Sequence, residues 1–266
     1  TVDKEFLAGV INRMKEVAPA DSYGLIMSSH GGGWVPADLY DVYLLGEDSR
    51  AAARPLFYGQ DDYDCMEIPD LVDALDQTRF KYIIFDACFM GNVEGLYDMR
   101  NAADYIIASP TEILGAGFPY ESFIPMLFER TDHKLKEVCE AYMDFYADSS
   151  GTISLIDCSR LEPLAQSAKH IFSTYRSGLN TLQTTRDVQQ YFRNRYRSTQ
   201  QWFYDFGDII YKCGVSDADL DDFNRRLNDA VIYKGATEVF MNDFRITCHS
   251  GLSMYLPITY KRDYLN

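Results

Sequence analysis

Residues 80–88, Phe-Lys-Tyr-Ile-Ile-Phe-Asp-Ala-Cys, decide how this chain is read. Phe80–Phe85 is a short run of aromatic and β-branched residues, which suits a strand buried on both faces. It runs directly into Asp86-Ala87-Cys88. Upstream, Tyr23–Ser28 (YGLIMS) is a second apolar run, and it leads into His30-Gly31-Gly32-Gly33. Between and after them the period changes. Lys4–Val17 reads as an amphipathic helix, Ile68–Asp76 as a helix with Pro69 in its first turn, and Asn92–Met99 as a third helix. Asp104–Ser109 (DYIIAS) and Thr152–Asp157 continue the strand series. Strands alternating with helices predict an α/β fold, with a mostly parallel central sheet and helices on both faces.

The second half is richer in helix. Asp132–Ala147, Arg160–Leu179 and Asp217–Tyr233 carry helical periodicity, and Thr237–Met241 and Leu252–Leu256 are strand candidates to finish the sheet. No repeat, low-complexity tract or linker divides the chain. Residues 1–266 therefore read as one domain with a helical layer at about 130–235.

Composition narrows the function. The 266 residues are 47% hydrophobic, enough for a sizeable core. With 25 Lys and Arg against 40 Asp and Glu, the formal charge is −15 and the pI near 4.6. Basic residues form no cluster, which argues against a nucleic-acid partner. An acidic surface favours cationic ligands. No apolar run is long enough to span a membrane, and no signal peptide begins at Thr1. The six cysteines (Cys65, Cys88, Cys139, Cys158, Cys213, Cys248) show neither CxxC pairs nor regular spacing, so neither a zinc site nor a disulfide framework is expected. Most suit small core positions.

The chemistry is expected at the carboxyl ends of the strands, where open parallel sheets bind ligands. If the two strands neighbour each other, His30 and Cys88 emerge on one edge, the minimal parts of a cysteine nucleophile. Gly31 and Gly32 allow a substrate backbone to approach, and backbone N–H groups there suit an oxyanion. The helix expected from Asn92 would place its positive end near Cys88 and lower the thiol's pKa. Asp86, two residues before Cys88 on extended chain, faces the same pocket and offers a carboxylate to an Arg or Lys side chain. His133, His170 and His249 lack such context. The acidic Gln60–Asp64 (QDDYD) could hold a cation, a solvated acidic loop being the commoner reading, and no EF-hand-type loop is present.

These segments resemble the clan of caspases, legumains, gingipains and clostripain, and most closely the clostripain family. The similarity runs through SSHGGGW (Ser28–Trp34), FDACFMGNVE (Phe85–Glu94), ASPTEILGAGFPY (Ala108–Tyr120), TISLIDCSRL (Thr152–Leu161) and GLSMYLP (Gly251–Pro257). It implies a caspase-like sandwich and peptide-bond hydrolysis without a required cofactor, although some relatives depend on calcium. It implies His30 as general acid/base, Cys88 as nucleophile and the N–H groups of Gly31 and Cys88 as oxyanion hole. Asp86 would be the acid of an S1 pocket preferring Arg or Lys at P1, with Ser109 and Glu112 on the pocket's opposite side. Substrates would be proteins or peptides, and the location secreted or periplasmic; oligomeric state is not implied. Self-cleavage at Arg50 or Arg54, between His30 and Cys88, is expected by the same resemblance, as are residues upstream of Thr1 carrying a further strand. Two alternatives stand beside it. One is a non-catalytic or latent peptide-binding relative. The other is a serine esterase using His30–Gly33 as its HGGG motif, for which no Gly-x-Ser-x-Gly elbow exists; Gly251–Tyr255 lacks the last glycine.

Overall fold

The computed structural model describes residues 3–35, 58–61, 64–128, 134–182, 187–192 and 202–256. Its centre is a five-stranded sheet of β1 (Gly24–Ser28), β4 (Phe80–Asp86), β5 (Ala103–Ala108), β6 (Thr152–Asp157) and β8 (Val231–Ala236), in that spatial order. β1, β4 and β5 are parallel; β6 is antiparallel to both β5 and β8, so four of the five strands point the same way. β4 is buried along its length except at Lys81, the two-faced burial its unbroken apolar run demands. A hairpin of β2 (Tyr58–Asp61) and β3 (Asp64–Met66) precedes β4.

One face of the sheet is covered by α1 (Lys4–Val17), α2 (Ile68–Leu75), α3 (Val93–Asp98), α6 (Leu161–Thr174), α8 (Phe206–Lys212) and α9 (Asp217–Ala230). Their apolar residues join Met27, Ile83, Phe85, Ile106 and Ile156 in one core. The other face carries α4 (Tyr120–Leu127) and α5 (Leu135–Phe145), packed on Tyr82, Ile84, Ile107 and Leu155. The helices expected as one layer at about 130–235 thus divide between the two faces. No helix among the described residues is long and apolar enough to cross a membrane.

Four expectations for the second half are corrected. The helix from Asp217 stops at Ala230, and Val231–Ala236 pairs with β6 as the sheet's last strand. Thr237–Met241 contributes only β9 (Val239–Phe240), paired with β10 (Phe244–Arg245) and closed by Met241 and Asn242 in left-handed turn geometry (φ 48° and 55°). From Leu252–Leu256, only Ser253 and Met254 form a strand, β11, and it pairs with β7 (Tyr204–Asp205) instead of joining the main sheet. The helix read over Arg160–Leu179 is interrupted at Tyr175, and α7 (Arg176–Leu182) follows.

Candidate active site

Register places the two reactive strand ends side by side. Ser28 on β1 is opposite Asp86 on β4, and the Ser29 N–H donates to the Asp86 carbonyl at 3.3 Å. His30 and Cys88 each follow two residues after this last pair. The backbones then approach closely. A Cβ on Gly31 would lie 2.5 Å from the Cys88 carbonyl oxygen and 3.0 Å from the Cys88 nitrogen, so only glycine fits. Ser28, Ser29 and His30 from one loop and Asp86, Ala87 and Cys88 from the other line a single cleft of about 320 Å³. Its far wall is Ile113, Leu114, Gly115 and Gly117.

The Cys88 sulfur is half-buried and bonded to that wall. Ile113 N–H donates to Sγ at 3.3 Å, and the thiol donates to the Ile113 carbonyl at 3.6 Å. The expected help from a helix end is corrected: α3 begins only at Val93, with Asn92 as its cap and a four-residue turn separating it from Cys88. That turn is strained. Phe89 adopts φ 61°, costing on the order of 1–3 kcal/mol for a residue with a Cβ. Three contacts hold it there: its N–H donates to Thr111 O at 2.9 Å, its carbonyl accepts from the buried Asn92 Nδ2 at 2.8 Å, and its ring stacks on Phe203 at 4.4 Å and 6°. Gly33 packs against the same group, where a Cβ would lie 2.7 Å from the Phe89 carbonyl oxygen and 2.9 Å from the Phe203 ring. Trp34, Trp202, Phe192 and Tyr255 extend this aromatic cluster beneath both loops.

Asp86 is 8% exposed, and among the described residues its side chain bonds to hydroxyls. Tyr120 Oη donates to Oδ2 at 2.6 Å and Ser28 Oγ to the same oxygen at 3.3 Å. Burial, with the neighbouring carboxylate adding to it, pushes the Tyr120 hydroxyl up to about 12, so it remains a donor at neutral pH. Gly117 turns over this carboxylate with φ +65°, where a Cβ would lie 2.8 Å from Oδ2. Its carbonyl is fixed by the Tyr146 hydroxyl at 2.8 Å.

The remaining candidates fall elsewhere. Ser109 is fully buried behind the wall, bonded to Thr152 Oγ1 at 2.8 Å and Thr111 Oγ1 at 3.2 Å. The Oε2 of Glu112 is buried too, and neither residue contributes to the cleft lining. Arg50, Arg54, Asp62, Tyr63 and His133 lie outside the described residues. No group of three His, Cys, Asp or Glu among the described residues is placed to hold a metal ion. Ser253 is fully buried in β11, no position for an esterase nucleophile. His170 sits exposed beside Asp219, and His249 is a half-buried group bonded to Tyr191. Burial pushes Cys158 and Cys248 up to about 12 and Cys213 to about 11, and raises Cys139 as well, so these four are inert thiols at neutral pH. Tyr120, Tyr146, Asn92 and Phe203 were not picked out from the sequence. Tyr120 ends the ASPTEILGAGFPY segment, but nothing local ties it to Asp86.

Comparison with known proteins gives one consistent relationship. The model of the clostripain family (Peptidase_C11) matches residues 1–263. Clostripain of Hathewaya histolytica is 30% identical over 127 residues, which is 45% of this chain and 23% of that protein. The chain thus spans less than a quarter of that relative's length. Among solved structures, an inactive zymogen C11 protease from Parabacteroides distasonis superimposes with a TM-score of 0.79 at 30% identity, covering 97% of this chain and 70% of that one. A secreted C11 cysteine protease from Bacteroides thetaiotaomicron, in complex with an irreversible peptide inhibitor, gives 0.73 at 27% identity, covering 99% and 76%.

Proposed function

This chain belongs to the clostripain family, and from that premise we propose that it is a cysteine endopeptidase acting after Arg or Lys through Cys88 and His30. The observation that supports the reading is the shared cleft, which His30, Cys88 and Asp86 all line. A basic P1 side chain pairs with Asp86, whose described side-chain partners are neutral hydroxyls. The Cys88 thiolate attacks the scissile carbonyl carbon, forming the C–S bond. Backbone N–H groups of Gly31 and Cys88 receive the oxyanion. The imidazolium of His30 protonates the departing nitrogen as the C–N bond breaks, and then takes a proton from the water that hydrolyses the thioester. Every step is supplied by this chain's own residues and water, so neither calcium nor another cofactor is invoked. The likeness to a secreted relative favours a secreted protein acting on peptide or protein substrates.

A latent resting form is a second reading, favoured by one contact: the Cys88 sulfur is bonded both ways to Ile113. Substrate or self-cleavage between His30 and Cys88, at Arg50 or Arg54, would then release it.

The test is hydrolysis of matched fluorogenic peptides ending in Arg, Lys, Asp or Leu, by wild type and Cys88→Ala. Cleavage after Arg and Lys that disappears in the variant is the expected result. Cleavage only after Asp or Leu would retain the dyad and remove Asp86 from its role. No cleavage, with Cys88 unreactive to iodoacetamide at pH 7, would favour the latent form.

A further inference from the structure

We propose that the cleft selects lysine over arginine at P1, because Tyr120 and Ser28 together occupy one oxygen of Asp86 and leave the substrate only the other. The inference rests on Asp86 being the residue that receives the P1 side chain. A carboxylate oxygen has two good acceptor directions. On Asp86, both directions of Oδ2 are used, by Tyr120 Oη at 2.6 Å and Ser28 Oγ at 3.3 Å. Oδ1 has no partner among the described residues, yet is not one of the sealed, unpaired oxygens of the interior, so it opens to the cleft that Asp86 lines.

The two basic side chains differ in what they ask of such a site. A guanidinium is a planar fork whose best contact is a pair of parallel bonds to both oxygens of a carboxylate. Here it keeps one of the two, and its second N–H is desolvated without an acceptor, which costs more than the missing bond alone. An ammonium is a compact charge with three donors in no fixed plane. It can bond Oδ1 and still use lone pairs on the Ser28 and Tyr120 oxygens, whose protons are already given to Asp86.

The longer bond comes from Ser28, exposed at the end of β1, and the shorter from Tyr120, whose ring is packed. Tyr120 opens α4 and packs its ring 5.4 Å from that of the fully buried Phe123. Burial and the carboxylate keep its proton on, so it goes on donating across the working pH range. Gly117 turns over the whole carboxylate, where a Cβ would lie 2.8 Å from Oδ2 and 3.2 Å from Oδ1, and Tyr146 pins its carbonyl. A guanidinium that reaches Oδ1 therefore meets an Oδ2 whose acceptor directions are already taken by the two hydroxyls. Tyr120 and Ser28 are positioning residues in this scheme: they act on the substrate by deciding which oxygen of Asp86 it meets.

The experiment compares kcat/KM for two peptides identical but for Lys or Arg at P1, using wild type, Tyr120→Phe and Ser28→Ala. Wild type should favour Lys by about tenfold, the equivalent of about 1.4 kcal/mol. Tyr120→Phe frees one direction of Oδ2 and should raise the Arg/Lys ratio about tenfold. Ser28→Ala, which removes the longer bond, should move it in the same direction by less. Binding of the same peptides to Cys88→Ala protein, read as Kd by calorimetry, should give the same order and does not depend on turnover. Equal or better use of Arg by wild type, with a ratio that neither variant moves, would overturn the proposal while both peptides still outrun a Leu control. If neither basic peptide outruns or outbinds that control, the assignment of Asp86 itself fails and takes this proposal with it.

Discussion

Replacing Gly31 by alanine tests the closest approach in the cleft. The added Cβ would lie 2.5 Å from the Cys88 carbonyl oxygen, 3.0 Å from the Cys88 nitrogen and 3.0 Å from the Ala87 Cβ. Two of these neighbours are backbone atoms, so no side chain can rotate out of the way. Restoring an ordinary separation from the carbonyl oxygen takes a displacement of about 0.9 Å between the two loops. Misplacement of about 1 Å at a reacting centre costs on the order of a hundredfold in rate. The expected result is a fall of about 100-fold in kcat/KM on a basic-P1 peptide, carried mainly by kcat, since the clash falls on Cys88 and Ala87 and not on the Asp86 carboxylate. Stability should fall far less, because the clash lies at the loop ends beyond the last paired residues, Ser28 and Asp86. Gly9→Ala is the control: it sits in the exposed part of α1 with nothing within 4 Å of the new methyl. It should leave activity unchanged and add up to about 1 kcal/mol of stability through helix propensity. The assay is steady-state kinetics beside urea denaturation of all three proteins. Retention of activity within threefold in Gly31→Ala would refute the reasoning, since the closeness of the two loops would then be incidental to catalysis.

Two further outcomes follow from the surroundings of the site. Phe203→Ala removes a fully buried ring stacked on Phe89 and should cost about 3–5 kcal/mol in urea denaturation. It should also lower kcat/KM at temperatures where the variant is folded, because the strained Phe89 turn loses its clamp; a purely structural loss would leave the folded fraction fully active. Glu94→Gln should change the pH dependence of stability. Burial pushes the Glu94 carboxyl up to about 7, only partly offset by the Tyr255 N–H that it accepts, so its contribution is present below about pH 4.5 and is lost as pH rises through 7. Burial pushes His249 the other way, down to about 4, so its contribution is lost as pH falls from 6.5 towards 4. In wild type the two slopes oppose each other. In Glu94→Gln only the histidine slope should remain, with stability rising between pH 4 and 6.5 and exceeding wild type at pH 8 by on the order of 2 kcal/mol. Parallel pH profiles of the melting temperature would contradict this.

The parts of the fold legible in the sequence are those whose burial pattern is local. FKYIIF and YGLIMS read as strands because short apolar runs suit them; the structure buries the first on both faces, whereas β1 lies at the edge of the described sheet with only Met27 fully buried. Lys4–Val17 and Thr152–Asp157 were legible to the residue for the same reason: each has one period from end to end. Asp217–Tyr233 was misjudged because the apolar residues Phe223, Leu227, Ala230 and Val231 keep helical spacing past the true end. What ends the helix is pairing of Val231 onward with β6, which is information carried about eighty residues away. Leu252–Leu256 failed alike, its partner being the two-residue strand at Tyr204. The candidate site divides along the same line. His30, Gly31, Asp86 and Cys88 follow directly from two strand ends, so alternation and adjacency suffice to place them. The opposing wall does not: Ser109 and Glu112 were read from a linear match, whereas the chain turns after Thr111 and presents Ile113 to Gly117 instead.

That wall and the aromatic cluster explain why two strand ends suffice to start a site but not to finish one. Parallel pairing fixes Ser28 against Asp86 and then stops; beyond it, both loops leave the ladder and lose its hydrogen bonds. Precision at His30 and Cys88 has to be imposed from outside the sheet. Phe89 shows how. Its left-handed turn re-aims the chain just after Cys88, and would relax if nothing opposed it. One hydrogen bond comes from Asn92, which in the same act caps α3, so relaxing Phe89 would also unravel a helix start. A ring stack comes from Phe203, more than a hundred residues later, and the same ring crowds Gly33 on the histidine loop. One distant side chain therefore touches both loops of the cleft at once. Displacement of either loop must disturb the other through it, and this is why the loss at Phe203→Ala is expected in rate as well as in stability.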